Sequence, residues 1–235
     1  MNALQIHIYA DGAHRDLMIK RHKEGIVKGF TTNPSLMAQA GVKDYVGYAK
    51  ELLTQIPDMP ISFEVFSDEW PEMERQALLI GSWGKNVYIK IPITNTKSEP
   101  ALPLIRRLLD RGLRLNVTAI FTQQQLDGLR EILKPQDDVL VSIFAGRLAD
   151  TGFDPMPLMK KAVEDYRSLK GSKILWASTR EAFNIYQAEA CGCHIITVPD
   201  DLIGKLKIRG KSPVEYSLDT VKAFVSDAQK AGFVL

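Results

Sequence analysis

The chain has 235 residues, of which 45% are hydrophobic and 25% charged, and its formal net charge is +2 at pH 7. These values exclude a disordered chain or a strongly basic nucleic-acid-binding protein, and they suit one large α/β domain or two small ones. No apolar run is long enough to span a membrane, and residues 1–5 lack the basic and apolar regions of a signal peptide. Cys191 and Cys193 are expected to be free thiols in a reducing compartment. We therefore expect a cytoplasmic protein with no membrane or nucleic-acid partner.

Short apolar runs alternate with helix-like stretches along almost the whole chain. Strands are predicted at about 6–10, 27–32, 61–66, 87–93, 113–120, 139–144, 174–177 and 195–198. Helices are predicted at about 13–23, 35–53, 70–80, 99–109, 123–133, 158–169, 181–190 and 199–206, with a C-terminal helix at about 212–231. Residues 150–157 are expected to form a loop.

Eight alternating strand and helix units predict a parallel sheet, and in a chain of this length they match an α/β fold of the (β/α)₈ TIM barrel type. A doubly wound open sheet is the alternative, disfavoured because no glycine-rich dinucleotide fingerprint follows the first strand. Nothing resembles a linker, so one domain is expected over residues 1–235. The C-terminal helix is surplus to the eight units and could cover either its own barrel or a neighbouring subunit.

The fourth strand, Val87-Tyr88-Ile89-Lys90-Ile91-Pro92-Ile93, carries a lysine in the middle of an apolar run. Burying an ammonium group is costly unless it is paired with an acid or loses its proton. A neutral lysine amine is a nucleophile whose usual reaction is a Schiff base with a carbonyl substrate. The alternative is an edge-strand lysine whose charged end reaches solvent.

The other strands decide between these two interpretations. In a barrel, alternate strand residues point inward, and functional groups lie at the carboxyl ends of the strands. Polar residues share this inward phase or lie just beyond the strand ends on seven strands: Asp11, Asn33, Glu64, Lys90, Asn116, Thr118, Ser142, Arg147, Ser178 and Arg180. Each has an ordinary explanation alone, such as a helix cap, a turn or a surface charge. Their common placement predicts a polar site at one end of the barrel.

The residue types suggest a reaction. A lysine, two carboxylates and hydroxyl or amide donors can form an imine and cleave a carbon–carbon bond, since both steps need an acid and a base. Arg147 and Arg180, with Ser178, can bind a phosphate group. The expected substrate is a phosphorylated sugar.

Six segments carry a resemblance to a known family. They are Thr31-Thr32-Asn33-Pro34-Ser35, Ser62-Phe63-Glu64-Val65, the Lys90 strand, Asn116-Val117-Thr118-Ala119, Ser142-Ile143-Phe144-Ala145-Gly146-Arg147 and Ala177-Ser178-Thr179-Arg180. In this order they resemble the transaldolases, including the small members and the related fructose-6-phosphate aldolases. The resemblance implies a class I Schiff-base mechanism on a (β/α)₈ barrel, with no metal and no cofactor. It also implies a homo-oligomer, since small family members assemble as rings.

The resemblance also implies roles for individual residues. Lys90 would form the imine, Asp11 would exchange the hydroxyl proton during carbon–carbon cleavage, and Glu64 with Thr118 would hold a catalytic water. The donor sugar would be bound by Asn33, Asn116, Ser142 and Phe144, and its phosphate by Arg147, Ser178 and Arg180. The dihydroxyacetone unit of sedoheptulose 7-phosphate or fructose 6-phosphate would pass to an aldose phosphate such as erythrose 4-phosphate, in the pentose phosphate pathway or a related sugar pathway.

Two positions distinguish transferases from aldolases in this family. Glu64 stands where the aldolases have glutamine, and Phe144 where they have tyrosine, so both favour transfer over release of free dihydroxyacetone. The chain departs from the usual motifs at Tyr9-Ala10-Asp11-Gly12-Ala13, at Ile143 and Ala145, and at Thr179, which leaves the acceptor open. A dihydroxyacetone-releasing lyase and a non-catalytic sugar-phosphate-binding barrel are the alternatives.

Overall fold

Eight parallel strands close into a barrel in the computed structural model, which describes residues 4–234. The strands are β1 (His7–Asp11), β2 (Gly29–Thr31), β3 (Ile61–Glu64), β4 (Val87–Pro92), β5 (Leu115–Ile120), β6 (Val139–Ile143), β7 (Ser172–Trp176) and β8 (Ile195–Pro199). Each strand pairs with the next in the chain, and β8 pairs with β1. The predicted (β/α)₈ barrel is confirmed, and the open sheet is wrong. The predicted span of 1–235 also includes residues 1–3 and 235, which lie outside the described residues.

Helices cover the outside of the barrel between the strands. They are α1 (Arg15–Glu24), α2 (Pro34–Gln39), α3 (Tyr45–Gln55), α4 (Trp70–Gly81), α5 (Leu102–Asp110), α6 (Gln123–Ile132), α7 (Ala145–Asp150), α8 (Met156–Asp165), α9 (Phe183–Ala190), α10 (Asp200–Gly204) and α11 (Pro213–Ala231), with a 3₁₀ turn at Lys205–Ile208. The single helix predicted at 35–53 is wrong. Gly41 adopts a left-handed conformation (φ 73°) after α2, and the Asp44 side chain accepts a hydrogen bond from the Gly47 N–H to begin α3.

Helix α7 was not predicted. Phe144, assigned to the sixth strand, is the residue before this helix, and Asp150, assigned to a loop, is its last residue. Phe144 offers no side-chain cap for the helix, so the usual sequence signal of a helix start is missing. The consequence is that Arg147 lies on a helix that leaves the carboxyl end of β6 directly.

Apolar side chains fill the barrel interior, and hydrogen bonds around Tyr88 lie at its amino-terminal end. The inward-facing cluster contains Tyr9, Tyr88, Leu140, Leu175, Ala177 and Ile195, with Phe144 packed against it. A Cβ on residue 29 would lie 2.6 Å from the Tyr9 ring, so Gly29 lets that ring lie across β2. The Tyr88 hydroxyl donates to Asp138 (2.6 Å) and accepts from Arg114 (2.7 Å). This end is therefore closed, and the polar residues gather at the other end.

Helix α11 stands apart from this core. It begins with a capping box formed by Ser212 and Glu215 and runs for 19 residues, none of them buried. Its large apolar side chains are instead exposed: Val214, Tyr216, Leu218, Val221, Phe224 and Val225. Of the two alternatives for this helix, coverage of its own barrel is therefore wrong. Within residues 4–234, no helix is long and apolar enough to cross a membrane.

Candidate active site

Lys90 lies at the centre of the barrel's carboxyl end. Strand register places Glu64, Lys90 and Asn116 side by side on β3, β4 and β5. The Lys90 ammonium is 3.1 Å from a Glu64 carboxylate oxygen and donates to the Thr32 carbonyl at 3.2 Å. Because β4 has neighbours on both sides and Lys90 is only 6% exposed, the edge-strand interpretation is wrong. The cost of burying the charge is offset by the ion pair and the hydrogen bond.

Asn116 is fully buried beside Lys90, and both ends of its amide are bonded. Its Nδ2 donates to the Ser62 hydroxyl at 3.0 Å, and its Oδ1 accepts from the Ser142 hydroxyl at 2.6 Å. These two bonds hold the amide in place between the two serine hydroxyls. Ser62 on β3, Asn116 on β5 and Ser142 on β6 thus form one hydrogen-bonded group across the barrel.

Thr118 presents an unpaired hydroxyl at the end of β5. Its Oγ1 is buried and has no hydrogen-bonding partner among the residues that the structure describes. The next residue, Ala119, has a left-handed backbone (φ 59°), and the pairing of β5 with β6 shifts register between Val117 and Ile120. Such bulges redirect side chains next to active sites. A buried hydroxyl without a partner is costly, which makes Thr118 a natural partner for a bound water or substrate oxygen.

Asp11 ends β1, and its carboxylate accepts a hydrogen bond of 2.6 Å from the Thr31 hydroxyl. Burial raises the pKa of the Asp11 carboxyl above its ordinary value, and the charge of Lys90 and the Thr31 hydrogen bond oppose that rise. Asp11 is therefore a carboxyl group whose pKa is raised mainly by burial and partly lowered again by the same lysine that would form the imine. A perturbed carboxyl beside a buried lysine is typical of acid–base catalysis.

Asn33 follows β2 and caps α2. Its Oδ1 accepts from the Leu36 N–H at 2.9 Å. Asn33 can therefore be a helix cap and a ligand-binding residue at once. The cap uses the side-chain oxygen and leaves the amide nitrogen able to donate to a ligand.

Of the three residues predicted to bind phosphate, Arg147 lies on α7 after β6, and Ser178 and Arg180 lie in the loop after β7. Arg147 stacks over the Phe144 ring at 5.1 Å from its centroid. Arg180 donates to both carboxylate oxygens of Asp150, to Oδ1 at 3.1 Å and to Oδ2 at 2.9 and 2.6 Å, and this contact lowers the pKa of Asp150. Both arginines are exposed. Arg180 is thus already held by an acid, which fixes its direction but would compete with a phosphate for it.

Helix α7 and the loop after β7 touch through the backbone. The Gly146 N–H donates to the Ala177 carbonyl at 3.3 Å. A Cβ on residue 146 would lie only 1.6 Å from the Ser178 carbonyl oxygen, so only glycine allows this approach. Ser178 itself has a left-handed backbone (φ 64°), a conformation that non-glycine residues rarely adopt. The close contact places Ser178 and Arg180 next to Arg147.

Several site residues were missed from the sequence. Tyr45 was assigned only to a helix, yet its hydroxyl accepts from the Glu64 N–H at 3.0 Å and contacts the Glu64 carbonyl at 3.2 Å. Thr31 and Asp150 were given no role. For Thr31, the inward phase of β2 was an available signal. For Tyr45 and Asp150, nothing in the sequence pattern indicated the contact.

Solved structures of similar shape support the barrel fold. Comparison with 2,3-dimethylmalate lyase gives a TM-score of 0.57 at 13% identity, covering 97% of this chain and 94% of that one. Comparison with 3-hexulose-6-phosphate synthase gives 0.59 at 12% identity, covering 85% and 92%. At identities this low, the similarity shows only that the fold is shared.

Comparisons of sequence identify the family as well as the fold. A probable transaldolase of Thermoanaerobacter sp. is 33% identical over 225 residues, covering 95% of this chain and 97% of that protein. Probable transaldolase 2 of Listeria monocytogenes is 38% identical over 191 residues, covering 80% and 83%. A probable transaldolase of Dehalococcoides mccartyi is 34% identical over 195 residues, covering 83% and 87%. The profile of the Transaldolase/Fructose-6-phosphate aldolase family matches residues 8–235. The chain therefore belongs to the transaldolase/fructose-6-phosphate aldolase family and is an enzyme of the transaldolase and aldolase kind.

Proposed function

We propose that this enzyme transfers a dihydroxyacetone unit from a ketose phosphate, sedoheptulose 7-phosphate or fructose 6-phosphate, to an aldose phosphate through a Schiff base on Lys90. The observation that carries the proposal is the buried Lys90 amine, held between Glu64 and the Thr32 carbonyl. A primary amine with an adjacent carboxylate can lose its proton and attack a ketone.

Imine formation would use Glu64 and Thr118. Lys90 gives a proton to the neighbouring Glu64 carboxylate, and its neutral amine adds to the ketose carbonyl carbon. A second proton then moves from the nitrogen to the former carbonyl oxygen, which becomes a hydroxyl. The resulting carbinolamine loses its hydroxyl as water, which needs an acid. A water bound between Glu64 and the unpaired Thr118 hydroxyl can carry these protons. The amide of Asn116, fixed by Ser62 and Ser142, would donate to a donor hydroxyl.

Carbon–carbon cleavage would use Asp11. In the imine, the Asp11 carboxylate takes the proton of the C4 hydroxyl. The C3–C4 electron pair moves toward the imine, which becomes an enamine, and the aldose phosphate departs. The enamine then attacks the aldehyde carbon of the acceptor, and Asp11 returns the proton to the new hydroxyl. Hydrolysis releases the product ketose and restores the Lys90 amine.

Arg147, Ser178 and Arg180 would bind the phosphate of donor and acceptor. Arg180 would have to share its donors between Asp150 and the phosphate, and its exposed position allows that movement. Phe144 would contact the donor as an apolar wall. It carries no hydroxyl that could protonate the enamine and release free dihydroxyacetone.

Acceptor dependence tests transfer against the lyase alternative. Without an acceptor, release of free dihydroxyacetone from fructose 6-phosphate is expected to be about a hundredfold slower than transfer to erythrose 4-phosphate, because a proton donor to the enamine is missing. Both rates would be followed by coupled enzymatic assays of dihydroxyacetone and glyceraldehyde 3-phosphate. Equal rates with and without erythrose 4-phosphate would favour the lyase. No turnover of either kind would favour the non-catalytic barrel.

We also propose that the enzyme is a homo-oligomer in which the apolar side of α11 packs on a neighbouring subunit. An isolated helix is only marginally stable in water, and a row of five large exposed apolar side chains on one side of it is typical of an interface. The five are Val214, Leu218, Val221, Phe224 and Val225. The family profile extends to residue 235, so α11 belongs to the fold shared with relatives. A second copy of the chain is therefore its expected partner. The cytoplasmic location and the pentose phosphate pathway stay predictions.

Val221→Glu is expected to dissociate this oligomer, because it places a charge in the middle of the apolar row. The measurement is the molar mass by size-exclusion chromatography with light scattering, where the variant should elute as a single chain. Ala223→Glu adds the same charge two residues away, about 200° around the helix and on the opposite side, and should leave the mass unchanged. A wild-type protein that is itself monomeric would contradict the proposal.

A further inference from the structure

Thr197 on β8 has no role in the proposed reaction, yet it lies beside Asp11. The register of β8 with β1 places Thr197 opposite Tyr9, so its side chain shares the inward phase. Thr197 and Thr31 are almost fully buried, at 4% and 2% exposure. The two hydroxyl oxygens are in hydrogen-bond contact with each other, and the Thr31 hydroxyl is also 2.6 Å from the Asp11 carboxylate.

The chemistry of the groups fixes the direction of these two hydrogen bonds. An ionised carboxylate only accepts, and each hydroxyl carries one hydrogen. The Thr31 hydrogen must therefore point to Asp11, and the Thr197 hydrogen must point to the Thr31 oxygen. Donating to Thr31 makes its hydroxyl a stronger donor to the carboxylate, because hydrogen bonds in a chain polarise one another. The order of donation is Thr197, Thr31, Asp11.

Thr197 is held in place by the loop that would bind phosphate. The Thr179 hydroxyl donates to the Thr197 backbone carbonyl at 2.7 Å. Thr179 lies between Ser178 and Arg180, and it is one of the positions where this chain departs from the usual family motif. Thr197 thus lies on a strand that is hydrogen-bonded directly to the loop proposed to bind phosphate.

We propose that Thr197 is a positioning residue that acts through Thr31 to orient the Asp11 carboxylate and stabilise it in its ionised form. The proposal rests on the proposed role of Asp11 as the base in carbon–carbon cleavage. Other charges also face Asp11. Lys90, paired with Glu64, is the cation that lowers the pKa of Asp11. Four further titratable groups line a cavity of about 160 Å³ shared with Asp11: His14, Arg21, Asp200 and Asp201. All of these remain in place when the Thr197 hydroxyl is removed.

The test compares Thr197→Val, which removes the hydroxyl at nearly constant shape, with Thr197→Ser, which keeps it. Without the Thr197 donor, the ionised form of Asp11 is less favoured. The acidic limb of kcat/KM against pH should then move to higher pH by about half a unit in Thr197→Val, with a severalfold loss below the limb. The rate on the plateau above the limb should change little. Thr197→Ser should restore the wild-type profile.

The control is Ser172→Ala. Ser172 is a buried residue at the amino-terminal start of β7, far from Asp11 along the barrel, and its hydroxyl has no partner within residues 4–234. This variant should keep the wild-type profile. Borohydride trapping on Lys90 should be unchanged in all variants. The hydrogen-bond relay from Thr197 through Thr31 to Asp11 acts on the Asp11 carboxylate and not on the amine.

A uniform loss of rate in Thr197→Val without a shift of the acidic limb would mean a merely structural role and would overturn the proposal. Titration of the Asp11 carboxyl carbon by NMR in wild type and in Thr197→Val separates the proposal from the proposed function, since it needs no turnover. If the wild-type enzyme forms no imine, the proposed function fails while this titration still decides the relay. Identical Asp11 titration curves in the two proteins would overturn the relay.

Discussion

Replacing Lys90 by arginine is expected to abolish transfer, with a loss of at least about a thousandfold in kcat. Arginine retains a positive charge beside Glu64, so the half-buried carboxylate keeps a partner. Its guanidinium cannot condense with a ketone to give the imine. Lys90→Met serves as a second variant, since it tests the same loss with a side chain of similar length and no charge. Far-UV circular dichroism would show that both variants remain folded.

Trapping of the imine tests the role of Lys90 more directly than loss of activity does. Borohydride added with fructose 6-phosphate should reduce the imine and leave a dihydroxyacetone-sized mass on the peptide containing Lys90. Neither Lys90 variant should gain that mass. Lys97→Arg is the matched control, because Lys97 is an exposed lysine in the loop after the same strand and pairs with Glu69 at 3.2 Å. An adduct on any other lysine, or none with any ketose phosphate tried, would rule out the proposed mechanism.

The central row of the site followed from the sequence because alternation and strand order are local properties. Once β3, β4 and β5 are adjacent parallel strands, the inward phase of Glu64, Lys90 and Asn116 places them side by side. The barrel itself followed from eight alternating units. Local periodicity failed at Gly41, where apolar residues on both sides continued a helical pattern through a left-handed turn.

Contacts between distant segments could not be predicted in this way. Thr31 and Thr197 are separated by 166 positions, and they meet only because β8 closes against β1 beside β2. Asp150 and Arg180 meet because α7 leaves β6 without a loop, and that helix has no side-chain cap to announce it. Closure of the barrel and short uncapped helices depend on tertiary packing, which can override local signals.

Asp11→Asn is expected to lower kcat by about two to four orders of magnitude while leaving imine formation intact. The amide is nearly the same shape as the carboxylate, and its oxygen can still accept from the Thr31 hydroxyl. It cannot take the C4 hydroxyl proton. The reaction should therefore stop at the imine of the whole donor sugar.

The mass of the trapped adduct separates carbon–carbon cleavage from the imine formation that precedes it. Borohydride with fructose 6-phosphate should leave a three-carbon unit on Lys90 of the wild-type enzyme, but the intact six-carbon sugar phosphate on Lys90 of Asp11→Asn. Asp16→Asn is the control, because Asp16 is an almost fully exposed aspartate on α1, and it should behave as wild type. A three-carbon adduct on Asp11→Asn would show that another group removes the proton.

The pH dependence of the wild-type enzyme follows from the same carboxyl group. Asp11 acts as the base only when ionised, and burial raises its pKa above the ordinary value for an aspartate. Activity should therefore fall as the pH drops through this raised pKa, so the acidic limb of kcat/KM should lie above the range of an exposed aspartate. The limb should disappear from the residual activity of Asp11→Asn, because the titrating group is gone. An unchanged limb in that variant would assign the titration to Glu64 or to another group of the site.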